Sequence, residues 1–371
     1  MKAFKTLALP LLSTIMAMSL VACGSEVPAP VGESVRRDSF EMPLPEGAYL
    51  AQASEFASGD SSQVRLGSLA PDTGSVQEHI PEIYQRGRLI VGVSQSQNLL
   101  SYRNPATGAV EGFEAEIARE IARDIFGNPD AIEFRFINTN TWLSALTAGE
   151  VDFVINSISI TRQRQDATFF STPYFQAVSR LLVPTTSSSS ELADLAGQKI
   201  CVTENSTGAQ RIANEYPGQD LLVVTSAADC LLALQQNQVS AILSDDAILS
   251  GMIAQDPFTT LTKDFLGHEQ YGIAFAKPTA LNDTTGLIRQ VNGTLERVFN
   301  DGTWTSLVQD WLGDYLGPQP VPQVHYRAET PLNQLIPETA RRRPLSTTEH
   351  DAAQQATDEQ ATAAREGGNG S

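Results

Sequence analysis

Residues 199–243 decide the fold: KICVTENSTGAQRIANEYPGQDLLVVTSAADCLLALQQNQVSAIL. Short apolar runs of strand length alternate here with stretches whose apolar residues recur at helical spacing. The pattern predicts, in order, a strand at 199–202, a helix at 209–216, a strand at 221–224, a helix at 227–236 and a strand at 241–243. Strands that are joined through helices run parallel in one sheet, with the helices on its faces. The segment is therefore predicted to be an α/β unit.

The same alternation occurs earlier in the chain. It predicts a strand at 89–93, a helix at 114–125, a strand at 132–136, a helix at 142–148 and a strand at 153–155. The two units also share a short sequence echo, in which a helix ends at Gly149 or at Asn237 and an apolar strand follows. Gly and Asn are the residues that tolerate the left-handed cap of a helix. We therefore expect two α/β lobes.

The first residues of the chain are typical of an export signal with a lipid-attachment site. Two lysines precede an apolar run at 7–20 that is short for a membrane span and leads into Leu20-Val21-Ala22-Cys23. This ending resembles a lipobox, in which the cysteine is acylated and becomes the new N-terminus. We expect a signal peptide at 1–22 and a lipid on Cys23 that holds an extracytoplasmic protein at the cell membrane. The alternative is an ordinary secretory signal with an incidental cysteine.

Two flanking regions show no sustained apolar period. Residues 23–79 are rich in Pro, Gly, Ser and Glu, and we expect a flexible linker there. Residues 318–371 open with three alternating prolines and end in an Ala-, Gln-, Thr- and Glu-rich stretch, which predicts a disordered tail. The folded part of the chain is therefore expected to span residues 80–317.

Composition and cysteine content limit the function classes. The 371 residues are 41% hydrophobic and 18% charged, which is enough apolar material for one or two cores. The net charge of −18 argues against nucleic acid as a partner, because phosphate binding relies on clustered Lys and Arg. With Cys23 assigned to lipid, Cys201 and Cys230 remain to form a disulfide in an oxidising compartment. Two buried, unpaired thiols are the alternative.

The predicted strands end in polar residues that suit a ligand site. In open α/β sheets, ligands bind beyond the carboxyl ends of the strands. Four strands are followed by small hydroxyl and amide side chains and one carboxylate pair: Ser94 with residues 95–98, Asn156-Ser157 with Ser159, Asn205-Ser206-Thr207, and Ser244-Asp245-Asp246. Each run alone is equally well explained by turn or helix-cap chemistry. Together they predict a polar pocket between the lobes.

Two charged residues indicate what such a pocket would hold. Arg164 can bind a carboxylate bidentately, and Ser157 and Ser159 supply further donors beside it. Asp245 can accept hydrogen bonds from an ammonium group. If the two residues lie on opposite lobes, they can bind the carboxylate and the ammonium group of a zwitterion. For each residue alone, the alternative is a surface salt bridge.

Seven motifs spread over residues 82–316 carry a family resemblance. They are Gly87-Arg88-Leu89-Ile90-Val91-Gly92-Val93, Gly112-Phe113-Glu114, Ala145-Leu146 with Gly149 and Val151-Asp152-Phe153, Ser157-Ile158-Ser159-Ile160-Thr161 with Arg164, Phe170-Ser171 with Pro173-Tyr174, Tyr271-Gly272-Ile273-Ala274-Phe275, and Asp301-Gly302-Thr303-Trp304. The chain resembles family 3 of the extracellular solute-binding proteins, the receptors of ABC importers for polar amino acids. The cysteine pair and the Thr-Trp start of the last helix are most similar to actinobacterial glutamate- and glutamine-type lipoproteins.

The resemblance implies a two-lobe, type II periplasmic-binding-protein-like fold whose lobes close about a hinge on an L-amino acid. Lobe 1 is expected at about 80–182 and 273–317, and lobe 2 at about 183–272. The implied partners are the amino acid, the membrane subunits of the permease, and the membrane itself through the lipid. The protein is expected to act as a monomer without cofactor or metal.

The resemblance also assigns roles to residues. The α-carboxylate is assigned to Arg164 and to the turn with Ser157 and Ser159, and the α-ammonium group to Asp245. The ligand-contacting loop of lobe 2 falls on Asn205-Ser206-Thr207, and Ser94 and Asn156 complete the expected ligand-binding set.

Several positions depart from the family pattern. Glu114 stands where an Asp is common, Asn205 where a Gly is frequent, and residues 138–140 where an aromatic side chain often walls the pocket. Residues 94–102 contain no Lys or Arg to pair with a side-chain carboxylate, and Glu204 adds negative charge nearby. These departures weaken glutamate and aspartate as ligands and leave an amide amino acid open.

Catalysis has little support in the sequence. Of the four histidines only His268 lies well inside the predicted domain, and neither a nucleophile elbow nor a metal-ligand spacing is present. We therefore predict a receptor, not an enzyme, for a polar L-amino acid of the glutamine, glutamate, asparagine or aspartate class. The alternatives are an amino-acid sensor that docks on a membrane signalling protein and a dehydratase-like enzyme of the same fold.

Overall fold

The structure, a computed structural model, describes residues 42–56, 67–279 and 282–328, and all of its helices and strands lie in the unit Pro43–Ser371. The strands are β1 (Tyr49–Gln52), β2 (Leu89–Val93), β3 (Ser96–Gln97), β4 (Ser101–Arg103), β5 (Val110–Glu111), β6 (Ile132–Phe136), β7 (Phe153–Val154), β8 (Phe169–Phe170), β9 (Phe175–Pro184), β10 (Ile200–Thr203), β11 (Asp220–Val224), β12 (Ala241–Asp245), β13 (Thr259–Leu261), β14 (Gly267–Tyr271) and β15 (Ala274–Phe275). The helices are α1 (Val76–His79), α2 (Pro81–Arg86), α3 (Phe113–Phe126), α4 (Trp142–Thr147), α5 (Arg162–Ala167), α6 (Thr207–Glu215), α7 (Ala227–Gln235), α8 (Asp246–Gln255), α9 (Thr285–Asn300) and α10 (Thr303–Leu316).

These elements form two α/β lobes, as the sequence predicts. Lobe 1 contains a five-stranded sheet in the order β6-β2-β7-β15-β8 and a small sheet β3-β4-β5. Lobe 2 contains a seven-stranded sheet in the order β1-β11-β10-β12-β9-β13, in which β14 also pairs with β9. The expected signal peptide, Cys23 and the tail beyond residue 328 lie outside the described residues.

Helices cover both faces of the lobe 2 sheet. Ile212 of α6 packs with Val202 and Val223 on one face, and Leu234 of α7 packs with Leu222 on the other. In lobe 1 the isoleucines of α3 pack with the apolar side chains of β2 and with Trp304 of α10. The buried apolar side chains of these central strands therefore pack against apolar helix surfaces, which explains why the strands appear in the sequence as continuous apolar runs.

The sheets are mixed, whereas the sequence pattern predicts parallel ones. Only the central pairs are parallel, namely β2 with β6 and β7, and β10 with β11 and β12. The strands β8, β9, β14 and β15 are antiparallel to their neighbours. They differ because they lie where the chain passes between the lobes and back, and not within a strand–helix–strand repeat.

Two antiparallel strands, β9 and β14, join the lobes. Their pairing extends from Ser179 with Gly267 to Phe175 with Tyr271. Phe175 and Tyr271 belong to the lobe 1 core, whereas Leu182 of β9 belongs to the lobe 2 core. The chain therefore passes between the lobes within β9, a few residues before the boundary expected at about residue 182, since β9 pairs with lobe 2 strands from Ser179 onward.

The expected linker at 23–79 is wrong for its described parts. Strand β1 pairs with β11 over four residues and extends the lobe 2 sheet. Further along, Ser68 and Leu69 are buried against lobe 1, where the Ser68 hydroxyl donates to the carbonyl of Phe170 at 2.7 Å. This segment is held by backbone pairing and buried hydrogen bonds and not by an apolar period, so composition alone does not reveal it.

The expected disordered tail is likewise wrong for residues 318–328. The N–H of His325 donates to the Thr172 hydroxyl at 3.0 Å, and Tyr326 forms an isolated bridge with Ser68. The Arg327 guanidinium lies 4.6 Å from the centre of the Phe169 ring. The segments that flank the domain therefore meet on lobe 1.

The two remaining cysteines are bonded to each other. Cys201 of β10 and Cys230 of α7 form a disulfide with their Cα atoms 5.5 Å apart. The disulfide links α7 to strand β10 and confirms the predicted pairing of the two cysteines over two free thiols.

Within the described residues, no helix is both long and apolar enough to cross a membrane.

We predict that Asn292→Ala lowers the free energy of unfolding by about 2–4 kcal/mol. The fully buried amide of Asn292 donates to Ser68 and Leu69 and accepts from the N–H of Thr172, at 2.6–2.8 Å. Its loss leaves these groups without partners in the protein interior. Urea unfolding measures the change, and Asn214→Ala on the exposed face of α6 serves as the control, with an expected change within about 0.5 kcal/mol.

Candidate functional site

A cavity of about 380 Å³ lies between the lobes, at the carboxyl ends of the central strands of both sheets. Lobe 1 contributes the residues that follow β2, β6 and β7, and lobe 2 those that follow β10, β11 and β12. The position is the one at which open α/β sheets bind ligands.

Eight of the nine ligand-binding residues expected from the sequence line this cavity. They are Ser94, Asn156, Ser157, Ser159, Arg164, Ser206, Thr207 and Asp245. The ninth, Asn205, does not line the cavity. Its backbone carbonyl accepts from the Arg164 guanidinium at 3.1 Å, and its side-chain amide donates to the side-chain oxygen of Asn140 at 2.7 Å. Asn205 therefore orients another residue of the site and its side chain does not face the cavity.

Arg164 is held at the cavity by the first turn of α5. The Thr161 hydroxyl caps this helix by accepting from the N–H of Arg164 at 3.3 Å. The guanidinium donates to the carbonyl of Ser159 at 3.0 Å and, across the cleft, to the carbonyl of Asn205. Burial lowers the pKa of Arg164, and the nearby carboxylates of Glu269 and Asp245 oppose that effect. The side chain remains a fixed cation that is half-buried and oriented.

Ser157 is fixed by a buried carboxylate of lobe 1. Its backbone has φ of +49°, which is unusual for a residue other than glycine. One oxygen of Glu114 accepts from the Ser157 N–H at 2.6 Å, from the Ser157 hydroxyl at 3.0 Å and from the Tyr174 hydroxyl at 2.5 Å. Burial raises the pKa of Glu114, and these hydrogen bonds act against the rise. Glu114 thus stabilises the strained turn that forms one wall of the cavity.

Asp245 is the acidic residue of the cavity and lies at the end of β12. Its two carboxylate oxygens accept from the hydroxyls of Ser179 and Tyr271, each at 2.8 Å. Burial, followed by the nearby charge of Glu269, raises the pKa of Asp245 to about 7. A cation placed beside this carboxylate would stabilise its charged form, because the cation offsets both the burial and the repulsion from Glu269.

Two helices of lobe 2 begin at the cavity wall. Ser206 caps α6 by accepting from the Ala209 N–H at 3.1 Å, and Thr207 and Gly208 of the first turn line the cavity. Ser226 and Ala227 bring the start of α7 to the same space. The free N–H groups and the dipole at such helix starts favour an anionic or acceptor group.

Other lining residues belong to the polar strand-end runs from which the sequence predicts the pocket, namely Gln95, Ser96, Gln97, Thr203 and Ser244, and Asn138 and Thr139 lie in the stretch expected at its wall. The sequence does not indicate the remaining ones, which are Phe136, Ile137, Thr141, Gly208, Thr225, Ser226, Ala227 and Ile248. Most of them follow strands that were predicted correctly, so the carboxyl-end rule applied to every strand would have found them. Phe136 supplies an aromatic wall that the stretch 138–140 did not suggest, and the Arg103 guanidinium lies 5.7 Å from the centre of its ring.

The lobes touch across the rim of the cavity. Ser96 and Ser226 are 3.2 Å apart through their hydroxyls, and the amide of Asn98 donates to the carbonyl of Gly251 at 3.3 Å. Asn140 of lobe 1 donates to Glu204 of lobe 2 at 2.6 Å. Glu204 itself does not line the cavity. The structure therefore represents a closed arrangement.

We predict that Glu114→Ala destabilises the protein by about 2–4 kcal/mol, because the buried Tyr174 hydroxyl and the two half-buried donors of Ser157 lose their common acceptor. Glu114→Gln retains an acceptor oxygen in the same place, and its cost is expected to be about 1 kcal/mol. Chemical unfolding of both variants tests this role for the side chain. Equal losses in the two variants would contradict it.

Comparison with known families gives one clear assignment. The family described as bacterial extracellular solute-binding proteins, family 3, matches residues 89–314. A glutamine-binding protein of Geobacillus stearothermophilus is 35% identical over 214 residues, which cover 57% of this chain and 82% of that protein. The ABC transporter glutamine-binding protein of Bacillus subtilis is 29% identical over 239 residues, 64% of this chain and 86% of that protein. A glutamate-binding protein of Corynebacterium efficiens is 27% identical over 250 residues, 62% and 80%.

Solved structures show the same fold. A mutant of ArgBP from T. maritima superposes with a TM-score of 0.57 at 26% identity, over 63% of this chain and 99% of that one. An ancestral arginine-binding protein bound to glutamine gives a TM-score of 0.55 at 28% identity, over 62% and 99%.

Proposed function

The chain belongs to family 3 of the bacterial extracellular solute-binding proteins, and from this membership we propose that it captures an L-amino acid with a neutral polar side chain, of the glutamine type. One observation carries the proposal. Among the described residues that line the cavity, the ionisable side chains are one cation, Arg164, and one anion, Asp245.

The charge of the cavity selects the charge of the ligand. The α-carboxylate and the α-ammonium group of an amino acid account for Arg164 and Asp245, so a charged ligand side chain would be enclosed without a counter-charge. An unpaired charge in a closed cavity costs several kcal/mol. A carboxamide carries no charge and can both donate and accept hydrogen bonds. Two of the relatives are named as glutamine-binding proteins, which agrees with this choice.

The proposed pose follows from the positions of the donors. The α-carboxylate lies against the Arg164 guanidinium, the hydroxyl of Ser159 and the start of α6, which offer N–H or O–H groups, whereas the N–H and hydroxyl of Ser157 already donate to Glu114. The α-ammonium group lies against Asp245, and neutral side chains such as Gln97 and Thr225 face the carboxamide.

In this proposal the closed protein presents the amino acid to the membrane subunits of an ABC permease, and a lipid on Cys23 keeps it at the membrane. The family description and the names of the relatives are those of solute-binding proteins, which supports a receptor over an enzyme. A hinge of two strands allows the lobes to open and release the ligand.

We predict that the wild-type protein binds L-glutamine with a Kd of about 1 μM or below, near −8 kcal/mol. Arg164→Ala should weaken binding by about 3–5 kcal/mol, because the buried carboxylate loses its partner. Arg162→Ala is the matched control, since Arg162 is exposed on the same helix.

Calorimetry with a panel of amino acids measures these values. Unchanged affinity in Arg164→Ala would contradict the pocket assignment. Binding of glutamate or arginine in preference to glutamine would contradict the neutral side chain.

Binding should also depend on pH through Asp245. In the closed arrangement its pKa is raised to about 7, so below pH 7 the carboxyl group must lose a proton before it can pair with the ammonium group. The Kd should therefore increase as the pH falls below 7, by up to about tenfold per unit, and level off above it. Asp245→Asn should bind weakly and lack this dependence. Calorimetry between pH 5 and pH 8 tests the prediction, and an identical pH profile in Asp245→Asn would refute it.

A further inference from the structure

Strand β1 places a tyrosine beside the rim of the cavity. Tyr49 pairs with Val223 of β11, and the N–H of Glu204 donates to the carbonyl of Val224 on the same strand at 2.8 Å. Through this register the Tyr49 hydroxyl reaches Glu204 and donates to one carboxylate oxygen at 3.1 Å. Strand β1 therefore contacts a residue at the rim of the cavity.

Glu204 is also the lobe 2 end of a contact between the lobes. Its second carboxylate oxygen accepts from the amide of Asn140 at 2.6 Å, and the Asn140 carbonyl oxygen accepts from Asn205 at 2.7 Å. Tyr49, Glu204, Asn140 and Asn205 thus form one chain of hydrogen bonds, which we term the rim latch. Its last member, Asn205, also accepts from Arg164 through its backbone.

We propose that Tyr49 is a positioning residue for ligand capture: it orients Glu204 to receive Asn140, and through the rim latch it stabilises the closed, ligand-bound protein. The inference rests on the proposed function, because it assigns the latch to the retention of the same ligand. Strand β1, which lies in the region expected to be a linker, then contributes to ligand binding.

The chemistry of the latch supports this role. A carboxylate with donors on both oxygens loses rotational freedom, and hydrogen bonds to a charged acceptor are stronger than neutral ones. Burial and the Glu204 carboxylate raise the pKa of Tyr49, so its hydroxyl remains protonated and remains a donor at neutral pH. The latch closes only when the lobes approach each other, because Asn140 and Glu204 belong to different lobes. The latch is therefore expected to slow the dissociation of the ligand and to leave its association rate unchanged.

The test is Tyr49→Phe, which removes the hydroxyl and retains the ring. We expect the dissociation rate of L-glutamine to rise about threefold to tenfold with an unchanged association rate, as the loss of one hydrogen bond to a carboxylate implies. Leu50→Ala is the matched control, because the Leu50 side chain is exposed and points to the opposite face of β1. Stopped-flow measurement of tryptophan fluorescence on the full chain gives both rates.

A double-variant cycle distinguishes positioning from general stabilisation. In an Asn140→Ala background, Tyr49→Phe should add almost nothing, because the contact that it orients is already lost. A dissociation rate that is unchanged in Tyr49→Phe, or that rises equally in both backgrounds, would overturn the latch. A wild-type protein that binds no amino acid would overturn the proposed function and the latch together, whereas wild-type binding with an unresponsive Tyr49 overturns the latch alone.

Discussion

The carboxylate of Asp245 connects the cavity to the two strands that join the lobes. One of its oxygens accepts from Ser179 of β9 and the other from Tyr271 of β14, and these are the two strands that connect the lobes. The acidic side chain of the cavity is therefore positioned by the same backbone about which the lobes move. A rotation at the hinge changes the distance of both hydroxyls from the carboxylate, so the electrostatics of the site and the position of the lobes are coupled.

In lobe 1, the wall of the cavity depends on a strained backbone conformation at Ser157. The left-handed backbone at Ser157 turns its N–H and hydroxyl towards the buried Glu114, whose carboxylate accepts from both and stabilises this conformation. The arrangement places an acidic group close behind a site proposed for a carboxylate. Because that acid is buried and its pKa is raised, its charge is less exposed to the ligand than that of a solvated carboxylate.

The sequence reveals the central strands, the helices between them and most of the cavity, since all three follow from apolar periodicity and the rule that ligands bind at carboxyl ends of strands. It does not reveal β1, whose residues Tyr-Leu-Ala-Gln are mostly exposed and are recruited by backbone pairing. It also places Asn205 in the cavity, because the adjacent serine and threonine are there, although the left-handed backbone at Asn205 turns its side chain to the rim. The role of Glu204 depends on Tyr49 and Asn140, which are distant in sequence, and no local pattern predicts such a contact.

The pairing of β1 with β11 has a consequence for contacts between two copies of the protein. Strand β11 contains the run Leu221-Leu222-Val223-Val224, which is apolar on both faces, and without β1 it would form the open edge of the sheet. An exposed apolar edge strand is a template for pairing with another chain. With β1 in place, the outermost strand is four residues long and mostly polar or exposed, which makes it a poor template. The segment therefore protects this edge of the sheet against pairing with a second copy of the chain.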